Sequence, residues 1–429
     1  MFFLKLCARS TGPQLFRVYG AKYHVLSRNK PLAKGVFQGF GQRIQVTVAQ
    51  PLAELSQKSQ KVVGGWLLVC SGMAVGSIIL GGVTRQVMRA DKGPPRGSNL
   101  NCAFVFRLTK SGLSMVHWHP FAEFPPSGQK QWEQEFLKYQ EYPEYKEYNQ
   151  AMTLSEFKRI WYIEYLHRMW GRTIGAVFYT GATWLWWRGW LSRRAKGHVA
   201  VLGVGLAFQG ALGWFMVRSG LHDQPHVSQY RLAAHLGTAL LWYSLSLWSA
   251  MSHLSYQTQV PFQTFSPRMS RGVHGVLGLV FVTAMSGALV AGLQAGLVYN
   301  SFPKMADRWV PSDILALEPK LRNFTENPTT VQFDHRILGE SVVLVVTGLW
   351  LWGRKQPLPP RARKALHCLL AAAWLQAITA FWQATLGVST LLTYIPVSLA
   401  SSHQAGAVTL LSVALWLAHE LKLLRRIPK

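Results

Sequence analysis

Residues 365 to 419 contain no Asp, Glu, Lys or Arg, and this stretch limits most strongly what the chain can fold into. An α-helix needs about 20 apolar residues to cross a lipid bilayer. The stretch is therefore long enough to cross twice, and Pro396 near its middle marks the break between two helices. The pattern predicts a membrane protein.

The charge balance of the whole chain is strongly basic, with 45 Lys and Arg against 18 Asp and Glu. A nucleic-acid-binding protein carries such charge along one water-exposed face. This chain has long charge-free stretches instead, so no nucleic-acid partner is expected. The four cysteines show no Cys-x-x-Cys spacing, which predicts neither a disulfide framework nor a zinc site: Cys7, Cys70, Cys102 and Cys368.

The N-terminal 53 residues contain no acidic residue, while Lys and Arg are spread among apolar, Ser and Gly residues. This composition is typical of a mitochondrial transit peptide. A secretory signal would concentrate its charge before a compact apolar core, and Met1 to Cys7 is too short for that core. We expect residues 1–60 to be a transit peptide or a disordered basic tail.

Charge-poor apolar runs predict eight transmembrane helices, near residues 62–84, 160–187, 198–217, 231–251, 272–294, 334–353, 365–388 and 397–418. The fold class is thus an all-α polytopic membrane protein. The short connections after spans 2 and 6 and the C-terminal tail are rich in Lys and Arg, whereas most acidic residues lie in two long loops, 85–159 and 295–333. By the positive-inside bias, both termini face the mitochondrial matrix and these first and second outer loops face the intermembrane space.

The chain repeats itself. Two pairs of histidines recur at an interval of 168 residues: His167 with His335, and His235 with His403. Segment 112–115 after span 1 echoes segment 296–299 after span 5, and segment 209–213 of span 3 echoes 383–387 of span 7. Two pseudo-symmetric four-helix bundles are expected, over residues 61–257 and 258–429. Because each unit has an even number of spans, the two copies share their orientation, unlike inverted transporter repeats.

The four repeated histidines are the candidate metal ligands. A polar ionisable side chain inside a membrane span is costly and is a functional candidate by default. Two imidazoles that face each other across a helix bundle suit an iron porphyrin, because haem iron takes axial histidine ligands. The sequence predicts one haem between His167 and His235 and another between His335 and His403.

Glu164 distinguishes the two halves, because its counterpart in the second half is Gln332. Glu164 lies one helical turn before His167 on the same face, where a carboxylate can take up a proton or stabilise positive charge. The competing interpretation pairs it with Arg168 or Arg172. Arg168 and Arg336 follow their histidines directly, and they are candidates for binding haem propionates or for reaching the lipid headgroups.

Four other histidines lie at the matrix ends of the spans and favour a competing function: His198, His253, His367 and His419. If they bound a second layer of haem, the chain would be a di-haem b-type transmembrane electron carrier. A transporter is the third alternative. It is disfavoured because the repeated ionisable groups lie near one surface and not at the bilayer centre.

The Glu-Tyr-x-His-Arg opening of span 2, the His-Arg echo in span 6 and the single histidines at the start of spans 4 and 8 resemble the haem A synthase family in its mitochondrial form. The resemblance covers about residues 62 to 420. It implies oxidation of a methyl group of haem O to the formyl group of haem A for cytochrome c oxidase, with Glu164 assisting. It also implies that His167 and His235 hold haem O, while His335 and His403 hold a haem b that relays electrons.

The resemblance further implies a place in the mitochondrial inner membrane, with both haem sites toward the intermembrane space. Haem O synthase is then the source of substrate, a ferredoxin with its reductase is a candidate electron partner, and cytochrome c oxidase assembly factors are further partners. Some bacterial relatives carry a cysteine pair in the first outer loop. Cys102 stands alone there, so no thiol-disulfide step is expected. The sequence leaves self-association open.

Overall fold

A computed structural model describes residues 15–18, 21–24, 56–84, 87–91, 105–109, 112–118, 123–221, 227–255, 267–299, 301–389 and 397–424. The chain divides into two compact units, Met1–Glu54 and Leu55–Lys429. In the first unit, strands β1 (Leu15–Val18) and β2 (Ala21–His24) pair antiparallel. Everything below concerns the second unit.

The described part of the second unit consists of helices and one hairpin. The hairpin pairs β3 (Val87–Asp91) antiparallel with β4 (Val105–Thr109) inside the first outer loop. The helices are α1 (Gln57–Thr84), α2 (Gln129–Gln140), α3 (Leu154–Trp187), α4 (Arg193–Gly220), α5 (Gln229–Leu254), α6 (Pro267–Leu293), α7 (Asn323–Glu326), α8 (Pro328–Gly353), α9 (Pro360–Ser389) and α10 (Val397–Leu424). The predicted all-α class is confirmed, and each predicted span coincides with one long helix.

Six of these helical segments are long and apolar enough to cross a membrane, within the described residues. They are Gln57–Thr84, Arg193–Gly220, Pro267–Leu293, Pro328–Gly353, Pro360–Phe381 and Leu399–Leu423. Helices α3 and α5 are less apolar than these six segments. Helix α3 carries Glu164, Arg168 and Arg172, and α5 is rich in aromatic and hydroxyl side chains.

Several helices begin before the apolar run that predicted them, because polar caps start them. Thr153 and Glu156 form a capping box at the start of α3, where the Glu156 side chain accepts from the Thr153 amide at 2.7 Å. Asn327 caps α8, and Pro328 occupies its first turn. Helix α3 therefore begins at Leu154 and not near residue 160. Its 34 residues span about 51 Å, which is longer than the bilayer core.

The long helices contact one another in two closed rings of four. In the first ring α1 contacts α3 and α5, and α4 contacts the same two helices; in the second ring α6 contacts α8 and α10, and α9 contacts the same two. Helices α1 and α5 of the first ring also contact α10, and α5 contacts α6. Tyr243 on α5 and Ser412 on α10 share a hydrogen bond of 2.6 Å at this boundary.

The outer end of α3 is covered by α2 of the first outer loop. Trp132 and Tyr139 from α2 are buried against Phe157 and Trp161 of α3. The Tyr139 hydroxyl accepts a hydrogen bond of 2.7 Å from Asn149. Burial and the nearby Glu144 carboxylate raise the pKa of Tyr139, so its hydroxyl stays protonated. The first turns of α3 are thus packed against the loop helix α2.

Candidate functional site

Three of the four repeated histidines lie against a glycine of a neighbouring helix. The ring of His167 packs on Gly81 of α1, His235 on Gly213 of α4, and His335 on Gly287 of α6. A Cβ atom added at these glycines would lie 3.1, 3.3 and 3.0 Å from the Cε1 atom of the ring. Each imidazole therefore occupies the space that a side chain would fill if the glycine were replaced by another residue.

His335 and His403 are brought together in the second ring of helices. Their imidazole centroids lie 6.4 Å apart, with the ring planes at 80°. An imidazole nitrogen lies about 2.0–2.1 Å from a metal that it binds, so two rings facing each other across one ion have centroids about 6 Å apart. The observed separation would allow both histidines to hold a single metal ion.

His167 and His235 lie on α3 and α5 of the first ring, the helices that correspond to α8 and α10. The described contacts of these two imidazoles are with helices α1 and α4, not with each other. The Nδ1 atom of His167 is buried and has no hydrogen-bond partner among the described residues. A buried imidazole nitrogen without a hydrogen-bond partner is rare in a packed protein.

A glutamine amide contacts one histidine in each half. Gln209 of α4 donates to the carbonyl oxygen of His235 at 2.9 Å and lies 3.2 Å from its Nδ1 atom. Gln376 of α9 makes the same contacts to His403, at 2.8 and 3.1 Å. The sequence echo had paired Gln209 with Gln383, whose side chain lies outside the described residues. Among the described residues, Gln376 makes these contacts to His403, and the pairing with Gln383 stays a prediction.

Glu164 is held by three donors. Its carboxylate accepts from the Ser114 hydroxyl at 2.6 Å, from the Met115 amide at 3.0 Å and from Arg168 at 2.5 Å. Glu164 and Arg168 are both buried, so the pair is shielded from water. Charge-assisted hydrogen bonds of this kind are strong. The interpretation that pairs Glu164 with Arg168 is thus what the structure contains.

The arginines that follow the histidines bind the outer loops. Arg168 donates to the carbonyl oxygens of Met115 and His117, at 2.7 and 2.8 Å. Arg336 donates to those of Tyr299 and Ser301, at 3.0 and 2.8 Å. Met115 and Tyr299 occupy matching places in the two loop segments that echo each other in the sequence. Sequence analysis had not predicted that these guanidinium groups anchor the outer loops.

The two halves differ at the position of Glu164. Gln332 donates to the Tyr299 carbonyl at 2.7 Å, whereas Glu164 accepts from the Met115 amide. The first half also contains a second ion pair, in which Arg172 contacts Glu123 at 2.6 Å. Among the described residues, this charged cluster is built on α3 and the first outer loop alone.

Three of the four histidines predicted on the matrix side have protein partners among the described residues. His367 accepts from the Trp350 indole at 2.9 Å, and His253 lies 2.5 Å from the Gln60 side chain. His419 is buried beside Trp248 and 3.3 Å from the Ser252 hydroxyl, while His198 is exposed. These contacts account for His253, His367 and His419 as packing side chains.

Known proteins of one family are similar to this chain. The family of cytochrome oxidase assembly proteins, COX15-CtaA, matches residues 103–415. The chain is 51% identical over 381 residues to a Bos taurus protein named heme A synthase COX15, covering 87% of this chain and 84% of the relative. A Homo sapiens protein of that name is also 51% identical, with 87% and 85% covered. A Nitrosospira multiformis heme A synthase is 40% identical over 371 residues, covering 85% of this chain and 94% of the relative.

Proposed function

The chain belongs to the cytochrome oxidase assembly protein family, COX15-CtaA, and from this premise we propose that it is a haem A synthase. It oxidises a methyl group of haem O to the formyl group of haem A for cytochrome c oxidase. The observation that carries the assignment to these residues is the register-matched set of histidines, with a buried carboxylate beside the histidine of one half alone.

All eight long helices cross the inner mitochondrial membrane as two pseudo-symmetric four-helix bundles. The two closed rings of helix contacts support this arrangement. Residues 61–257 form the substrate half and residues 258–429 the cofactor half, after a transit peptide within residues 1–60. The basic connections after α3 and α8 support a matrix location for both termini.

The second half holds a resident haem b through His335 and His403. Their centroid separation of 6.4 Å supports this role, as does the glycine on which His335 rests. A bound haem b supplies a one-electron redox centre. The chain itself supplies the two imidazoles and the loop clamp of Arg336, and it keeps the site dry with apolar helices.

The first half holds haem O as substrate through His167 and His235. Changing a methyl to a formyl group removes two electron pairs and adds an oxygen atom, so positive charge develops at the edge of the macrocycle. Glu164 stabilises this charge as a fixed carboxylate. Because Arg168 and Ser114 occupy both of its oxygens, the electrostatic role is better supported than proton uptake.

Arg168 and Arg336 take part in binding propionates at the outer rim. A guanidinium has five N–H donors, so the loop contacts leave donors for a second partner.

Haem O synthase supplies the substrate from the membrane, a ferredoxin system exchanges electrons, and cytochrome c oxidase assembly factors receive the product. The exposure of the second outer loop, where Trp309 and Leu321 face outward, leaves a surface for such proteins.

Identification of the pigments by mass in the purified full-length protein tests the proposed function. We expect haem B together with haem O or haem A. Haem B alone would contradict the synthase and favour the di-haem electron carrier. Conversion of added haem O to haem A by the same preparation would exclude the carrier.

A further inference from the structure

His167 and His335 occupy matching positions on α3 and α8, but their Nδ1 atoms have different surroundings. In the second half, the Ser286 hydroxyl of α6 lies 2.8 Å from Nδ1 of His335. The same hydroxyl donates to the Thr283 carbonyl oxygen at 2.8 Å. The histidines of α5 and α10 do not distinguish the halves in this way, because each lies against a glutamine amide.

The hydrogen-bond chain sets the tautomer of His335. A hydroxyl has one proton, and a carbonyl oxygen only accepts, so the Ser286 proton goes to Thr283. With the Ser286 proton on the Thr283 carbonyl, we infer that the Ser286 oxygen accepts the Nδ1 proton of His335. The lone pair of the His335 ring is left on Nε2, where it is available to a metal.

The first half lacks this hydroxyl. Leu80 precedes Gly81 on α1, as Ser286 precedes Gly287 on α6, and both glycines support the ring of a repeated histidine. A leucine side chain has no hydrogen-bonding atom. In agreement, Nδ1 of His167 is buried without a partner among the described residues.

We propose that Ser286 is a positioning residue that makes His335 a permanent haem ligand, and that Leu80 at the matching place keeps His167 an exchangeable one. Hydrogen bonding to the distant nitrogen of a ligating histidine fixes its orientation and raises its basicity. The cofactor half therefore retains its haem, and the substrate half releases its product. This inference rests on the proposed function.

Haem transfer to an excess of apomyoglobin, followed by absorbance, measures the difference in the full-length holoprotein. Loss of a partner of this kind typically weakens metal binding by about 10–100-fold, so S286A should release haem b faster by a similar factor. Its midpoint potential should rise, because a less basic ligand stabilises ferric iron less. S286T retains a hydroxyl and should behave as the wild type. L80S should slow the release of haem O or haem A from the first site, whereas L80A should not.

Wild-type release and potential in S286A would overturn the proposal, and so would equal slowing by L80S and L80A. If S286A is isolated without haem, S286T decides: recovery of haem supports the proposal, and equal loss overturns it. Failure of the proposed function has a different signature, since the wild-type protein would then contain haem B alone and would not convert added haem O to haem A.

Discussion

The two halves of this protein share one plan and differ at a few side chains that control charge and hydrogen bonding. Each half places two histidines on its long helices and binds a loop with an arginine, Arg168 or Arg336. Only in the first half does a buried carboxylate, Glu164, stand where the second half has Gln332. We propose that these differences give the two halves two roles, reaction and electron transfer.

The largest expected effect is that of E164A. The substitution leaves Arg168 buried with its main counter-charge removed, which costs about 3–5 kcal/mol when a buried ion pair is broken. Glu123, at 3.9 Å from Arg168, places the cost toward the lower end. We expect haem A formation to stop while haem b stays bound, as measured by product analysis and by the haem spectrum.

The matched control for E164A is Q332A in the second half. It removes one neutral hydrogen bond to the Tyr299 carbonyl, worth about 0.5–1.5 kcal/mol. Haem A formation should persist in Q332A. Equal loss of product in the two variants would show that the halves are not specialised in this way.

Substitution of the supporting glycines should have the next largest effect. In G81A and G287A the added Cβ meets the histidine ring at 3.1 and 3.0 Å, and overpacking of this kind costs about 1–3 kcal/mol. We expect G287A to lose haem b and G81A to lose substrate haem, as measured by the haem content of the purified protein. In the control variants G72A and G278A the added Cβ meets nothing within 4 Å, so haem should be retained.

A smaller effect is expected on the matrix side. H367A removes the acceptor of the Trp350 indole and should lower the free energy of unfolding by about 1 kcal/mol. The haem content should stay at the wild-type value. Loss of a haem in H367A would instead support the electron carrier with haems at both faces.

The smallest effect concerns how the second outer loop is attached. Asp313 accepts from Tyr299 at 2.8 Å and from Thr329 at 2.5 Å. Burial alone would raise the pKa of Asp313, but these hydrogen bonds from Thr329 and Tyr299 lower it below its ordinary value. A lowered pKa means that the stabilisation is complete above the ordinary pKa of about 3.9 and disappears as the pH falls toward the folded value.

Hydrogen exchange of the second outer loop in wild type and D313N measures this contribution. The protection lost in D313N should be constant from about pH 5 to pH 8 and should vanish at lower pH. A difference that instead grew as the pH fell would reverse the predicted sign. The first outer loop, which is attached through Glu164 and Arg168, should be unaffected by D313N.

The sequence predicts the long helices because each has an apolar run, and it predicts the histidines because an ionisable residue inside such a run is rare. The 168-residue interval carries over to the contacts, since Arg168 and Arg336 bind corresponding loops. Helix α3 is longer than predicted because its start is set by the polar cap at Thr153, which an apolar scan does not detect.

Contacts between helices were beyond sequence reasoning. Gly81 and Gly287 are two glycines among 37, and their role depends on which ring the neighbouring helix presents. The contact of Gln376 with His403 was not predicted, because a sequence echo does not show which turn of α9 faces that histidine. Ser114 and Met115, the loop partners of Glu164, lie about 50 residues before it in the sequence. The spacing of residues along α3 could therefore predict only its bond to Arg168.

The central claim is that the two halves hold different haems, and pigment analysis of H167A and H335A in parallel tests it most directly. Each protein is purified at full length, and its haems are extracted and identified by mass. We predict that H335A lacks haem B and retains haem O, while H167A retains haem B and lacks haem O and haem A. Loss of the same pigment from both variants would contradict the claim.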